Sequence, residues 1–392
     1  MEGKIIEDKE LFMKRFLTNT CSIILPSMIL LLLTGCTRTR DSGPVESAAP
    51  QSPTIADDAQ LKDQLDHALD LAYHHRRLNI RDHAAWQIVH GAVAFGRAFP
   101  MEKDGKVISA VDYLLAGGTM KGWNLEPGEM LGGRQGLRAI LEQGSKTGQG
   151  HYDQWLGYLS GCNLPPEQPI IVGDKTFTIA DLMAQVEWDV PRNVDREYSW
   201  TIMGLTTYHP TDYSWTASDG KKWTIEQLMQ IEADQDLATS ACGGAHRLCG
   251  LTLALNRHLE QKRAVAGGWE AAQDRIQDSL LKAREYQNSD GSLSSNYLQR
   301  PGRSADLSEN LGATGHVLEF VVLTVPDSEI REEWIKRAAL FLCGVLERTK
   351  DIPLECGALY HAVHGLVIYR ERLFGPREFS LDQLKEPPMK HG

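Results

Sequence analysis

Leu311-Gly-Ala-Thr-Gly-His316-Val-Leu-Glu-Phe-Val-Val-Leu323 decides how the rest of the chain is read. It opens on small residues, carries one histidine and is then apolar on every side, which in a helix means burial all round. The pattern returns as Cys242-Gly-Gly-Ala-His246-Arg-Leu-Cys249-Gly-Leu-Thr-Leu-Ala-Leu255, and again as Glu355-Cys356-Gly-Ala-Leu-Tyr360-His361-Ala-Val-His364-Gly-Leu-Val-Ile368. Residues 83–98, with His90-Gly91, read as an earlier member. Charged amphipathic stretches at 269–286 and 329–348 lie between them. Alternating buried and half-exposed helices is what a double-layered ring of helices requires. The predicted fold is therefore all-α, an (α/α) toroid of helical hairpins with short β-like arms, over residues 59–375.

A second repeat explains the arms. Gly105-Lys-Val-Ile-Ser109-Ala-Val-Asp112, Asp174-Lys-Thr-Phe-Thr178-Ile-Ala-Asp181 and Gly220-Lys-Lys-Trp-Thr224-Ile-Glu-Gln227 share one order. Each is a tight turn, a few extended residues, then a hydroxyl followed three residues later by Asp or Gln. That hydroxyl caps a helix start, and the later side chain reaches back to it. Ser380 to Gln383 is a fainter copy. These joints carry no chemistry.

Composition narrows the class. Apolar residues at 42% and charged residues at 24% are ordinary for a globular chain. A net charge of −11 with no Lys/Arg block speaks against a nucleic-acid partner. Of the cysteines, Cys162, Cys242, Cys249, Cys343 and Cys356 follow position 36, an odd number that cannot all pair within one chain. The first 36 residues read as a signal peptide: Lys14 and Arg15, an apolar run at 23–33, then Leu33-Thr34-Gly35-Cys36. Met13 is the more ordinary start. The end of that run resembles a bacterial lipobox, which implies lipidation at Cys36, a lipid-bilayer partner and a place in the bacterial cell envelope. Residues 37–58 read as a flexible linker, and 376–392 as a loosely packed tail.

Gln287-Asn-Ser-Asp290-Gly291-Ser292-Leu293 resembles the Gln-x-x-Asp-Gly-Ser-Trp motif of squalene and terpenoid cyclases, prenyltransferases and several polysaccharide lyases, all (α/α) toroids. The whole domain is also similar to planctomycete-type lipoproteins, some labelled as GTPase-activating proteins for ADP-ribosylation factor. That activity needs a four-cysteine zinc finger, and the chain has no Cys-x-x-Cys pair. The Asp-x-Asp-Asp acid of terpene cyclases and the Cys-Gly-Glu-Gln of thioester toroids are absent as well. The zinc-dependent toroids, lanthionine cyclases and prenyltransferase β-subunits, use Cys and His from inner helices, and that resemblance leaves a zinc site open here.

Three readings of function stay open. In the first, Glu309, His316, Glu355 and His361 form acid–base pairs across a cavity that binds or cleaves a glycan, as a lyase or hydrolase would. Trp200, Tyr208, His209, Trp215, Tyr297, Arg300, Tyr360 and His364 would then contact the sugar. In the second, Cys242, His246 and Cys356 hold zinc, since thiolate and imidazole together prefer that metal. Cys242, His246 and Cys249 fall on one helical stripe, and Cys356, Tyr360 and His364 on another. In the third, the chain is a non-catalytic envelope scaffold or ligand-binding protein whose histidines are hydrogen-bonded in a filled centre.

Overall fold

The computed structural model describes residues 58–194 and 196–384. The residues read as a signal peptide, Cys36 and the expected linker up to residue 57 lie outside the described residues. Within 56–392, a single compact unit, the fold is mainly helical, about 54% helix in twelve α-helices with a few small sheets.

Six helices carry the histidine pattern or its counterparts. They are α2 (Ala85–Phe95), α4 (Gln154–Ser160), α6 (Ser199–Tyr208), α8 (Ala245–Glu260), α10 (Leu307–Thr324) and α12 (Cys356–Phe374). Each packs on the next in that order, and α12 packs on α2. Small residues permit the approach. A Cβ on Gly315 of α10 would stand 2.7 Å from the Ala362 Cβ of α12, and one on Gly250 of α8 would stand 2.9 Å from the Ser199 Cα of α6. In α10 every residue from Leu311 to Val322 is buried, as its all-round apolarity requires.

The other helices alternate with these along the chain. They include α1 (Asp58–Asp70), α5 (Ile179–Asp189), α7 (Ile225–Asp234), α9 (Gly268–Glu285) and α11 (Glu333–Arg348). Of these, α1 and α11 pack on each other, α1 also touches α12, and α9 packs on α7 and α8. Helix α11 is amphipathic: Ile335, Ala338, Ala339, Leu342 and Leu346 are buried, while Lys336 and Glu347 are half-buried.

The capping joints take the form their spacing predicts. Ser109 accepts from the Asp112 amide, Thr178 from Asp181 and Thr224 from Gln227, opening α3 (Ala110–Leu115), α5 and α7. At Thr178 the Asp181 carboxylate also accepts from the Thr178 amide at 2.9 Å, completing a reciprocal cap. Each joint is preceded by an antiparallel pair of short strands, at 100–109, 169–178 and 214–224.

Two features differ from the sequence reading. Trp123–Leu131 and Arg134–Leu141 form a long antiparallel hairpin that it did not place. Buried Leu137, Ala139 and Leu141 alternate along it, the two-residue period of a half-buried strand. The start of the tail is also not loose. The Phe379 ring packs against Tyr73 and Phe95, with centroids at 5.0 and 4.8 Å, and Arg377 pairs with Asp66 at 2.8 Å. Burial would raise the Asp66 carboxyl, but Arg370, Lys62 and Arg377 bring it down to about 2. Residues 385–392 lie outside the described residues.

Candidate metal centre

Four imidazoles meet where α2, α8, α10 and α12 face one another. The His361 ring lies 4.2 Å from His316, 4.9 Å from His246 and 5.2 Å from His90, centroid to centroid. His246 and His361 oppose each other nitrogen to nitrogen, Nε2 to Nε2 at 3.3 Å. Aromatic rings close the sides: Trp200 lies 5.4 Å from His246, and Tyr158 lies 5.6 Å from His90.

Each of three rings has an acceptor behind its Nδ1. In His316 that atom bonds the Gly312 carbonyl one turn back, at 2.7 Å. In His361 it meets Glu319 Oε2 at 2.6 Å. In His246 it faces Glu197 Oε2 at 3.7 Å. In His316 and His361 the committed Nδ1–H leaves an Nε2 lone pair on the far side, the arrangement found behind metal-bound histidines. Glu319 uses both oxygens, since Oε1 also meets His364 Nδ1 at 2.5 Å.

One ring nitrogen each from His246 and His316 and the thiol of Cys242 lie within 4.8 Å of one another. Cys242 precedes α8 and sits in a short turn of left-handed backbone, φ 48°. The predicted Cys242–His246–Cys249 stripe therefore does not form. Cys249 is buried inside α8, and burial drives its thiol pKa well up.

Burial works against the charge on Glu197, yet His246, His151 and Arg247 hold its carboxyl at about 2. Glu319 is likewise held well below the usual range by His361 and His364 against its own burial. Burial lowers His316 and His361 below the ordinary histidine value and brings His90 to about 3. Against burial, Cys242 and Glu197 raise His246 well above it. Two buried carboxylates thus stand behind the imidazoles. A divalent cation among the Nε2 atoms and the thiol fits that charge and that donor set.

The other sequence-derived residues fall elsewhere. Glu355 is exposed and spends both carboxylate oxygens capping α12, from Gly357 at 2.9 Å and Ala358 at 2.7 Å. Glu309 is exposed in the first turn of α10, which starts at Leu307 behind an Asp306 cap rather than at Leu311. Cys356 does not join the cluster; it is buried against α2 and takes a hydrogen bond from Gln87 Nε2 at 3.8 Å. Tyr360 is fully buried against Phe99.

Of the aromatics, only Trp200 and Tyr297 adjoin the histidines. Tyr208 donates to the Leu164 carbonyl, Trp215 to the Glu187 carbonyl, and His209 meets Glu187 while stacking on Tyr213 at 3.7 Å. His209 and Trp215 thereby fasten the 209–224 arm to α5. Arg300 is exposed. All five cysteines among the described residues are free thiols.

Sequence reasoning missed Glu319, Glu197, Tyr158 and the place of His90. Glu319 did carry a signal, because it is the one charged residue in the run 311–323. Glu197 carried none, since it lies in an irregular segment before α6. No family model, no curated protein and no solved structure matches this chain. Among the described residues no helix is long and apolar enough to cross a membrane.

Proposed function

We propose that this protein is a zinc-dependent enzyme built on an (α/α) toroid, with α2, α4, α6, α8, α10 and α12 as the inner ring and the metal in its centre. The ring reading is supported by the succession of helix contacts that returns from α12 to α2. The observation that carries the function is the convergence of Cys242, His246 and His316 within 4.8 Å.

In this reading Cys242, His246 and His316 hold the metal. One thiolate and two imidazoles leave it a further position, where zinc polarises a carbonyl or activates a bound water. His361 stands beside that position. Its Nδ1 is tied to Glu319, so its Nε2 is oriented to accept a proton there or hold one. Gly312 and Glu197 orient the other two rings. Trp200, Tyr158 and Tyr297 exclude water from the sides.

Anchoring to the bacterial envelope through lipidated Cys36 is part of the same proposal. A glycan substrate has less support, because most of the aromatic residues that would stack on sugar are engaged in packing the 209–224 arm and α12. The test is a zinc titration of the full chain, stripped of metal and followed by elemental mass spectrometry after dialysis. The expected result is about one tightly held zinc per chain. A chain that retains none refutes the proposal.

A further inference from the structure

Resting on the metal reading above, the geometry assigns a positioning role to Tyr297. We infer that its ring holds the Cys242 thiol at the metal, so that the 286–306 loop carrying it governs whether this chain or an exchangeable ligand fills that coordination position.

Cys242, Gly243 and Gly244 are three successive left-handed residues, with φ of 48°, 61° and 78°. Only glycine adopts a left-handed turn freely. Gly243 and Gly244 therefore suit the turn and Cys242 does not. A strained residue of this kind persists only where its surroundings over-determine it. Here two contacts do so. The Tyr297 ring lies on the Gly243 backbone, where a Cβ would stand 2.3 Å from the ring Cγ. Leu237 covers Gly244 in the same way, at 2.4 Å. No side chain caps the start of α8; Arg247 Nε donates to Ser240 Oγ at 2.8 Å and ties down the chain two residues before Cys242.

Tyr297 is itself left-handed, φ 53°, which makes it the second strained non-glycine residue at this spot. Its loop is fixed from both ends. Gln287 Nε2 donates to the Gly291 and Trp334 carbonyls at 3.0 and 2.7 Å, anchoring the loop to α11. Gln299 Nε2 donates to the Ala238 carbonyl at 3.1 Å, joining the loop to the segment that leads into Cys242. The Gln-x-x-Asp-Gly-Ser segment is thus the foot of a strap whose tip presses on the cysteine turn. Without the ring, the turn relaxes toward right-handed backbone and carries the thiol away from His246 and His316.

The experiment loads the metal-free full chain with cobalt(II) and reads the thiolate-to-cobalt charge-transfer band, which reports the sulfur and not general stability. Wild type and Tyr297→Phe, which keeps the ring, are expected to show the same band. Tyr297→Gly, which relieves the local strain but removes the ring, is expected to lose most of it and to bind cobalt about tenfold more weakly, with its thermal melt still cooperative. An unchanged band in Tyr297→Gly overturns the inference and leaves the metal site standing. Absence of cobalt binding by wild type overturns both. Should Tyr297→Gly fail to fold, Gly243→Ala probes the same contact from the other side: loss of the band supports the assignment, and a wild-type band refutes it.

Discussion

Cys242→Ser, His246→Ala and His316→Ala are each expected to empty the site, whereas Cys356→Ser keeps its full zinc content. Protein zinc sites with four ligands bind with about 10–16 kcal/mol, so one ligand accounts for roughly 3–4 kcal/mol. That corresponds to about 10²–10³ in affinity. The three variants should therefore lose their zinc in dialysis against a moderate chelator, while wild type and Cys356→Ser retain it. The comparison separates geometry from sequence pattern. Cys356 and His361 are five residues apart on α12, which places them about 140° apart around the helix. The thiol accordingly faces Gln87 of α2 while the imidazole faces His246. Zinc lost from Cys356→Ser and retained by His316→Ala would reverse the ligand assignment.

Glu319→Ala is expected to have the largest effect on stability. The carboxylate is buried, and it binds His361 and His364 with separate oxygens at 2.6 and 2.5 Å. Its removal leaves two Nδ1 groups without their acceptor and opens space between α10 and α12. Leaving a buried donor without its acceptor costs about 1–3 kcal/mol, and the cavity adds to this. A drop of many degrees in the melting temperature of the metal-free protein should follow. Glu319→Gln fills the same volume, but its amide oxygen can serve one histidine while its NH2 confronts the other. We expect it to cost about 1–3 kcal/mol and to weaken zinc binding about 10- to 100-fold through the misaligned His361 and its contact with His246. Melting of Glu319→Ala at the wild-type temperature would contradict this role.

How much of this was legible in the sequence depended on whether the signal was local. The caps at Ser109, Thr178 and Thr224 were, because a hydroxyl and its partner three residues on are set by one helical turn. Burial of the histidine helices was legible too, since a run apolar on all faces has nowhere else to go. His316 and Glu319 sit three apart on one such helix, so their shared side could have been read. The meeting of His246, His316, His361 and Glu197 could not, because it joins four segments far apart in sequence.

Strict helical spacing also misled. Cys242 reaches His246 through a left-handed turn and not through an i, i+4 stripe. Trp215, Tyr208 and His209 looked like a sugar platform because aromatic and polar residues crowd there. Their partners, Glu187 and Leu164, are 22 or more residues away in the chain.

X-ray absorption at the zinc edge of the loaded full chain tests the central claim most directly. The account predicts one sulfur scatterer with at least two imidazole nitrogens. A shell with no sulfur, or with two or more, would contradict it.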